Sequence, residues 1–120
     1  MRVLIIIPAY NEQHTIGSVV RRIGMCIPYA DILVVNDGSK DGTSNEARQM
    51  GASVIDLPYN LGIGGAMQTG YLYARNNNYE IAVQVDADGQ HDPAYIKDLI
   101  APITSNLSDV VVGSRYVNKT

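Results

Sequence analysis

The sequence contains no phenylalanine and no tryptophan, so its eight tyrosines are its only large aromatic side chains. It has a single cysteine, Cys26, which excludes an intramolecular disulfide and any cysteine-based zinc spacing. Set in an apolar helical pattern, Cys26 reads as a core residue and suggests a reducing compartment. No apolar run reaches the ~18 residues of a membrane helix. Met1 to Pro8 is too short for a signal peptide and reads as a first strand. There is no basic cluster, and the formal net charge is -3, which argues against a nucleic-acid surface. Internal repeats, low-complexity tracts and linkers are also missing. What remains is a chain of 120 residues, 46% hydrophobic, suited to one small globular domain.

Apolar periodicity alternates strand and helix along this chain. Arg2 to Ile7 reads as a buried strand stopped by Pro8, followed by a polar loop from Ala9 to His14. Thr15 to about Ile27 is helical, with Ile16, Val19, Val20 and Ile23 on one stripe. Ile32 to Val35 is a second strand, and Asn36 to Thr43 is a loop dense in turn residues. A short helix runs to about Met50, with Gly51 as its C-terminal cap. Ser53 to Leu57 is a third strand near the sheet edge. Gly62 to Asn76 is a helix striped by Ile63, Ala66, Met67, Gly70, Tyr71 and Ala74. Ile81 to Val85 is a central strand, Pro93 to about Ser105 a helix, and Val110 to Val112 a fifth strand from which Gly113 to Tyr116 leads out. Such alternation predicts an α/β fold, a Rossmann-like, mostly parallel sheet with helices on both faces. Ligands of such sheets sit at the carboxyl ends of the strands, where strand order reverses.

The stretch with the most chemistry is the exit from the central strand. Asp86, Asp88 and Gln90 stand at i, i+2 and i+4. In extended chain, side chains two apart point the same way, about 7 Å from one another. Three oxygen-bearing side chains then leave the strand on one side, a donor set suited to Mg²⁺ or Mn²⁺ together with substrate phosphates and water. The plain alternative is an acidic strand-to-helix loop, in which Asp92 caps a helix that begins at Pro93.

The other strand ends carry weaker signals, each with a plain alternative. Asp37 can accept hydrogen bonds from a base imino group or a ribose hydroxyl, or can serve a turn or a helix cap. Tyr10 can stack on a base or pack against its own loop. Glu12 can bind ribose hydroxyls or complement a helix dipole. The glycines at 62, 64 and 65 open a helix whose N–H groups favour anions, or they let that helix approach the sheet. Arg115 can offset diphosphate charge or lie in solvent. His91 can bind metal or hydrogen-bond locally. The common feature is position: these polar residues all fall at the carboxyl edge of the predicted sheet.

Together, Ile5-Ile-Ile-Pro-Ala-Tyr-Asn-Glu12, Val34-Val-Asn-Asp-Gly-Ser-Lys-Asp-Gly-Thr43, Asn60-Leu-Gly-Ile-Gly-Gly-Ala66, Val85-Asp-Ala-Asp-Gly-Gln-His-Asp-Pro93 and Gly113-Ser-Arg115 resemble the family 2 glycosyltransferases of GT-A fold. The likeness is greatest to the branch that makes polyprenyl- or dolichyl-phosphate sugars. The resemblance implies a site for a nucleotide-diphosphate sugar, UDP- or GDP-linked. Pro8, Tyr10, Glu12 and Asp37 would hold the nucleoside, with Val35 alongside. Asp86, Ala87, Asp88 and Gln90 would carry Mg²⁺ or Mn²⁺ and the diphosphate, with Asp86 and Asp88 the catalytic acids, and Arg115 would face the diphosphate or the sugar. The reaction implied is metal-assisted, inverting transfer to a lipid phosphate or a growing cell-envelope glycan, in the cytoplasm or on the cytoplasmic face of the membrane. Family members run to roughly twice this length. Residues 1–120 are therefore expected to be the amino-terminal, donor-binding part of a longer enzyme, with the acceptor site and membrane elements elsewhere. Two other readings fit less well. A sugar nucleotidyltransferase would carry a glycine-rich basic loop where Pro8-Ala-Tyr-Asn-Glu12 stands, and a receiver domain would need acids in place of that loop and a phosphoacceptor after the third strand.

Overall fold

Seven residues, Val3–Ala9, form strand β1, and their composition explains their place. A strand apolar on both faces must be covered on both, and β1 is the centre of the fold. The computed structural model describes residues 2–88 and, as strands, Asp109–Val112 and Arg115–Asn118. In chain order, β1 is followed by α1 (Ile16–Cys26), β2 (Ala30–Asn36), α2 (Thr43–Gln49), β3 (Ser53–Asp56), α3 (Gly62–Asn76), β4 (Ile81–Gln84), β5 (Asp109–Val112) and β6 (Arg115–Asn118). The sheet order is β3-β2-β1-β4-β5-β6, with every pairing parallel except β5–β6. The stretch from 113 to 116, expected only to lead out, enters this antiparallel edge strand at Arg115. The helix expected over 93–105 lies outside the described residues.

The chain moves outward from β1 to β2 to β3, and α3 then carries it back across to β4 on the other side. Strand order therefore reverses between β1 and β4, and the two ladders of β1 end at different heights. With β2, pairing runs to Ala9↔Asn36, and the Asp37 N–H donates to the Ala9 carbonyl at 2.8 Å. With β4, it stops at Ile6↔Gln84, with one further bond from the Val85 N–H to the Ile6 carbonyl at 3.0 Å. Alternate residues of a strand address the same neighbour, so Pro8, two beyond Ile6, turns its nitrogen toward β4. Having no N–H, it cannot extend that ladder. The strand expected to stop at Pro8 continues on its β2 side and opens on its β4 side.

The period-two alternation of β1 divides the core. Val3, Ile5, Ile7 and Ala9 join Ile16, Val19, Val20 and Ile23 of α1 and Ala47 of α2 on one face. Leu4 and Ile6 join Leu33, Val35 and Ala66, Met67 and Ala74 of α3 on the other. The close approach of α3 depends on Gly70: a Cβ there would lie 2.6 Å from Ile6 Cγ2. By contrast, Gly64 has nothing within 4 Å of such an atom, and Gly65 faces only Leu61 of its own helix start. Cys26, expected in the core, is exposed, three residues past Ile23, and its neighbour Ile27 takes the buried place.

The start of α3 is held from a distance. Gly62 has φ +86, a left-handed conformation suited to glycine. The Asp37 carboxylate accepts the Leu61 N–H at Oδ1, 2.7 Å, and the Gly62 N–H at Oδ2, 3.0 Å. Asn60 Nδ2 donates back to the Asp37 carbonyl at 3.2 Å. Gly38, at φ +75, makes room for this loop, since a Cβ there would sit 2.5 Å from the Asn60 nitrogen. An acid after β2 thus caps a helix more than twenty residues later, satisfying N–H groups that the helix itself cannot.

Two substitutions test this architecture by urea denaturation. Gly70→Ala should lower stability by about 1–3 kcal/mol through overpacking against Ile6, despite a gain of ~1 kcal/mol in helix propensity; a neutral result would show that α3 slides to accommodate the methyl group. Asp37→Ala should cost about 1–2 kcal/mol and speed amide exchange at Leu61 and Gly62, with Asp37→Asn intermediate.

Candidate functional site

Where the β1–β4 ladder ends, a cleft of about 320 Å³ opens. Four chain segments supply its walls: Pro8, Ala9, Tyr10 and Glu12 after β1, Asp37 after β2, Asn60, Gly62 and Ile63 at the start of α3, and Asp86, Ala87 and Asp88 after β4. This is the switch point of an open α/β sheet, where ligands of such folds bind.

The acid stretch reaches the cleft by a different geometry from extended chain. β4 ends at Gln84, and residues 87 and 88 form a turn. The alternation persists in burial: Val85 and Ala87 are buried, Asp86 is half-buried and Asp88 is exposed. Ala87 packs in the α1-side core, leaving the acids on either side of it at the cleft. Gln90, the third expected ligand, and His91 lie outside the described residues.

Two loops are bound into one wall. The Asn11 N–H donates to Ser39 Oγ at 2.8 Å, the Glu12 N–H to Thr43 Oγ1 at 2.9 Å, and the Lys40 N–H to Asn11 Oδ1 at 3.0 Å. Asn11 adopts φ 53, a left-handed conformation that asparagine tolerates. The buried Thr43 also donates its hydroxyl proton to Asp41, and that bond, above all, holds the Asp41 carboxyl below its ordinary range. Asp56 is lowered likewise, first by Asn36 Nδ2 at 3.0 Å and then by Arg48 at 2.7 Å. None of this cross-bracing was read from the sequence, although the density of Asn, Asp, Ser and Thr in both loops was its signal.

The expected site residues separate into groups. Pro8, Tyr10, Glu12, Asp37, Asp86, Ala87 and Asp88 line the one cleft. Val35 does not; it is fully buried in the α3-side core. Arg115 begins β6, paired with Val112 at the carboxyl end of β5, the same edge of the sheet. The reading of Asn60 to Gly65 as a cradle for an external anion is corrected at its first two amides, because Leu61 and Gly62 already face the Asp37 carboxylate.

The electrostatics of the cleft are one-sided. Among the described residues its lining holds four acids, Glu12, Asp37, Asp86 and Asp88, and no lysine, arginine or histidine. A diphosphate entering alone would meet like charge, which costs on the order of 1 kcal/mol per pair at 4 Å even in bulk water and more near a protein surface. Asp86 and Asp88 are hard oxygen donors of the kind that Mg²⁺ and Mn²⁺ take, so this donor set fits a divalent cation.

Comparison with known proteins bears on this geometry. An undecaprenyl-phosphate mannosyltransferase of Micrococcus luteus is 36% identical over 122 residues, covering 98% of this chain and 49% of the relative. A polyprenol monophosphomannose synthase of Mycolicibacterium smegmatis is 34% identical, covering 97% and 46%. The chain thus spans about half the length of these relatives. A solved structure of glucosyl-3-phosphoglycerate synthase from Mycobacterium tuberculosis, in complex with Mn²⁺, UDP-glucose and phosphoglyceric acid, superposes with a TM-score of 0.71 at 26% identity, covering 87% of this chain and 39% of that one. The fold expected from the sequence is the fold of these glycosyltransferases. The family model "Glycosyl transferase family 2" matches residues 4–120, and with the sheet order and the four-walled cleft it establishes that this chain belongs to glycosyl transferase family 2.

Proposed function

We propose that the cleft binds a nucleotide-diphosphate sugar with a divalent cation, and that the chain is the donor-binding part of an inverting glycosyltransferase whose acceptor is a lipid phosphate. The observation that carries this reading is the convergence of Asp86 and Asp88 with Tyr10, Glu12 and Asp37 on one cleft that has four acids and no base among its described residues. An accompanying cation favours entry of an anionic donor into such a cleft. The relatives named above make polyprenyl-linked sugars, and the structural neighbour holds Mn²⁺ and UDP-glucose, which supports both donor class and metal.

Each residue has a definable task. Tyr10, 46% exposed at the cleft, offers a ring face to a base. Glu12 can accept ribose hydroxyls, and Asp37 keeps acceptor directions beyond those used by Leu61 and Gly62. Asp86 and Asp88 would hold Mg²⁺ or Mn²⁺, with Gln90 as the further ligand. Arg115 would add positive charge near the diphosphate or sugar. A divalent cation held by Asp86 and Asp88 would supply Lewis-acid stabilisation of the charge left on the departing nucleoside diphosphate. In the transfer, an acceptor oxygen bonds to the anomeric carbon from the face opposite the diphosphate, and the electron pair of the broken carbon–oxygen bond leaves with that diphosphate. A phosphate acceptor is already ionised and needs no base from these residues, whereas a sugar hydroxyl would need a carboxylate.

A thermal-shift panel of UDP, GDP and CDP, each with Mn²⁺, Mg²⁺ or EDTA, tests the reading. At a hundredfold excess over Kd, one diphosphate with Mn²⁺ should stabilise the chain by about 2.7 kcal/mol, roughly a 10 °C rise for a domain of this size. Asp88→Ala should lose most of the metal-dependent part. No shift with any diphosphate at millimolar concentration, with wild type and Asp88→Ala alike, would refute it.

A further inference from the structure

We propose that Thr15 is a positioning residue for the acid pair, acting through the carbonyl between the two acids; this rests on the donor-binding reading above. Thr15 stands at the N-cap of α1, where a threonine ordinarily accepts an N–H of the first helical turn through its hydroxyl. Here it makes no such cap bond. The start of the helix is served instead by the Glu12 carbonyl, which accepts the Thr15 and Ile16 N–H groups at 3.1 and 2.9 Å. The Thr15 hydroxyl is turned away from its own helix, 2.9 Å from the Ala87 carbonyl oxygen and 2.8 Å from Glu12 Oε2.

Ala87 is the residue between Asp86 and Asp88, and its methyl group is locked in the α1-side core. With the side chain buried and the carbonyl in contact with Thr15, the Ala87–Asp88 peptide plane loses rotational freedom, which sets the direction in which Asp88 leaves the chain beside Asp86. The Thr15 hydroxyl has one proton and three acceptors within reach, the Ala87 carbonyl, Glu12 Oε2 and, at 3.4 Å, the Glu12 carbonyl, so it links the residue between the two acids to the loop after β1. Outer groups that orient metal ligands are worth ten- to a hundredfold in affinity, and Thr15 is such a group here.

The test uses the full chain, with UDP and GDP as probes, and compares wild type, Thr15→Val and Thr15→Ser. Mn²⁺ affinity in the presence of the diphosphate is read from the free Mn²⁺ signal in electron paramagnetic resonance, and diphosphate affinity in EDTA by calorimetry. Thr15→Val, nearly isosteric but without the hydroxyl, should weaken Mn²⁺ binding roughly tenfold and change metal-free diphosphate affinity less than twofold. Thr15→Ser should restore the wild-type value. Equal Mn²⁺ affinity in Thr15→Val and wild type overturns the proposal, as does an equal loss of metal-dependent and metal-free binding, which marks a merely structural role. If wild type itself binds neither diphosphate with Mn²⁺, the donor-binding reading fails, and this proposal with it. The two failures are thus distinct.

Discussion

The structure turns on the unequal ending of two hydrogen-bond ladders. β1 stays paired with β2 through Ala9 but leaves β4 after Ile6, and Pro8, facing β4 without an N–H, makes that separation obligatory. A parallel sheet whose central strands stayed paired to their ends would offer a shallower edge. Parting them where strand order also reverses makes a cleft, and the loops after β1 and β4 both line it. All the chemistry of the site depends on that separation, because Tyr10 and Glu12 follow one strand and Asp86 and Asp88 follow the other.

What lines the cleft is then held by bonds between loops as well as within them. Asp37, from the β2 loop, fixes the start of α3. Thr43 and Ser39 hold the backbone of the β1 loop, and Thr15 touches the carbonyl between the acids. Such cross-bracing gives short loops a defined shape with little apolar burial of their own, which suits segments whose side chains must stay available to a ligand. It also concentrates charge, since the braces are themselves polar. Among the described residues that line the cleft, Glu12, Asp37, Asp86 and Asp88 make its charge one-sided.

How far this was legible beforehand differs by element. The stripe Ile16, Val19, Val20 and Ile23 announced a face of α1, and those four residues are its buried face. The alternation of β1 was less informative, because a strand buried on both sides reads as a continuous apolar run and does not say which residues face which helix. The 115–118 strand was missed because a short edge strand after a Gly-Ser pair has the same local composition as an exit loop. Cys26 was misassigned because hydrophobic character was taken for burial three residues beyond Ile23, where Ile27 rather than Cys26 turns inward. For the acid stretch, the right residues were named by an argument from extended chain, whereas the chain turns at Ala87 and Asp88 and preserves the alternation through Ala87 packing in the core.

The sequence by itself determined the local alphabet: most of the described strands and helices, the apolar face of α1 and, apart from the exposed Ile63, most of that of α3, and that oxygen-rich residues gather at one edge of the sheet. These follow from periodicity and residue chemistry, which act over a few neighbours. Only the tertiary structure decided that Asp37 serves a helix more than twenty residues away, that Gly70 rather than the glycines of the α3 start admits α3 to the sheet, and that the Thr15 hydroxyl leaves its own helix for Ala87. Each of those is a contact between segments far apart in the chain, set by where the backbone brings two groups together, and no local pattern encodes a partner at that separation.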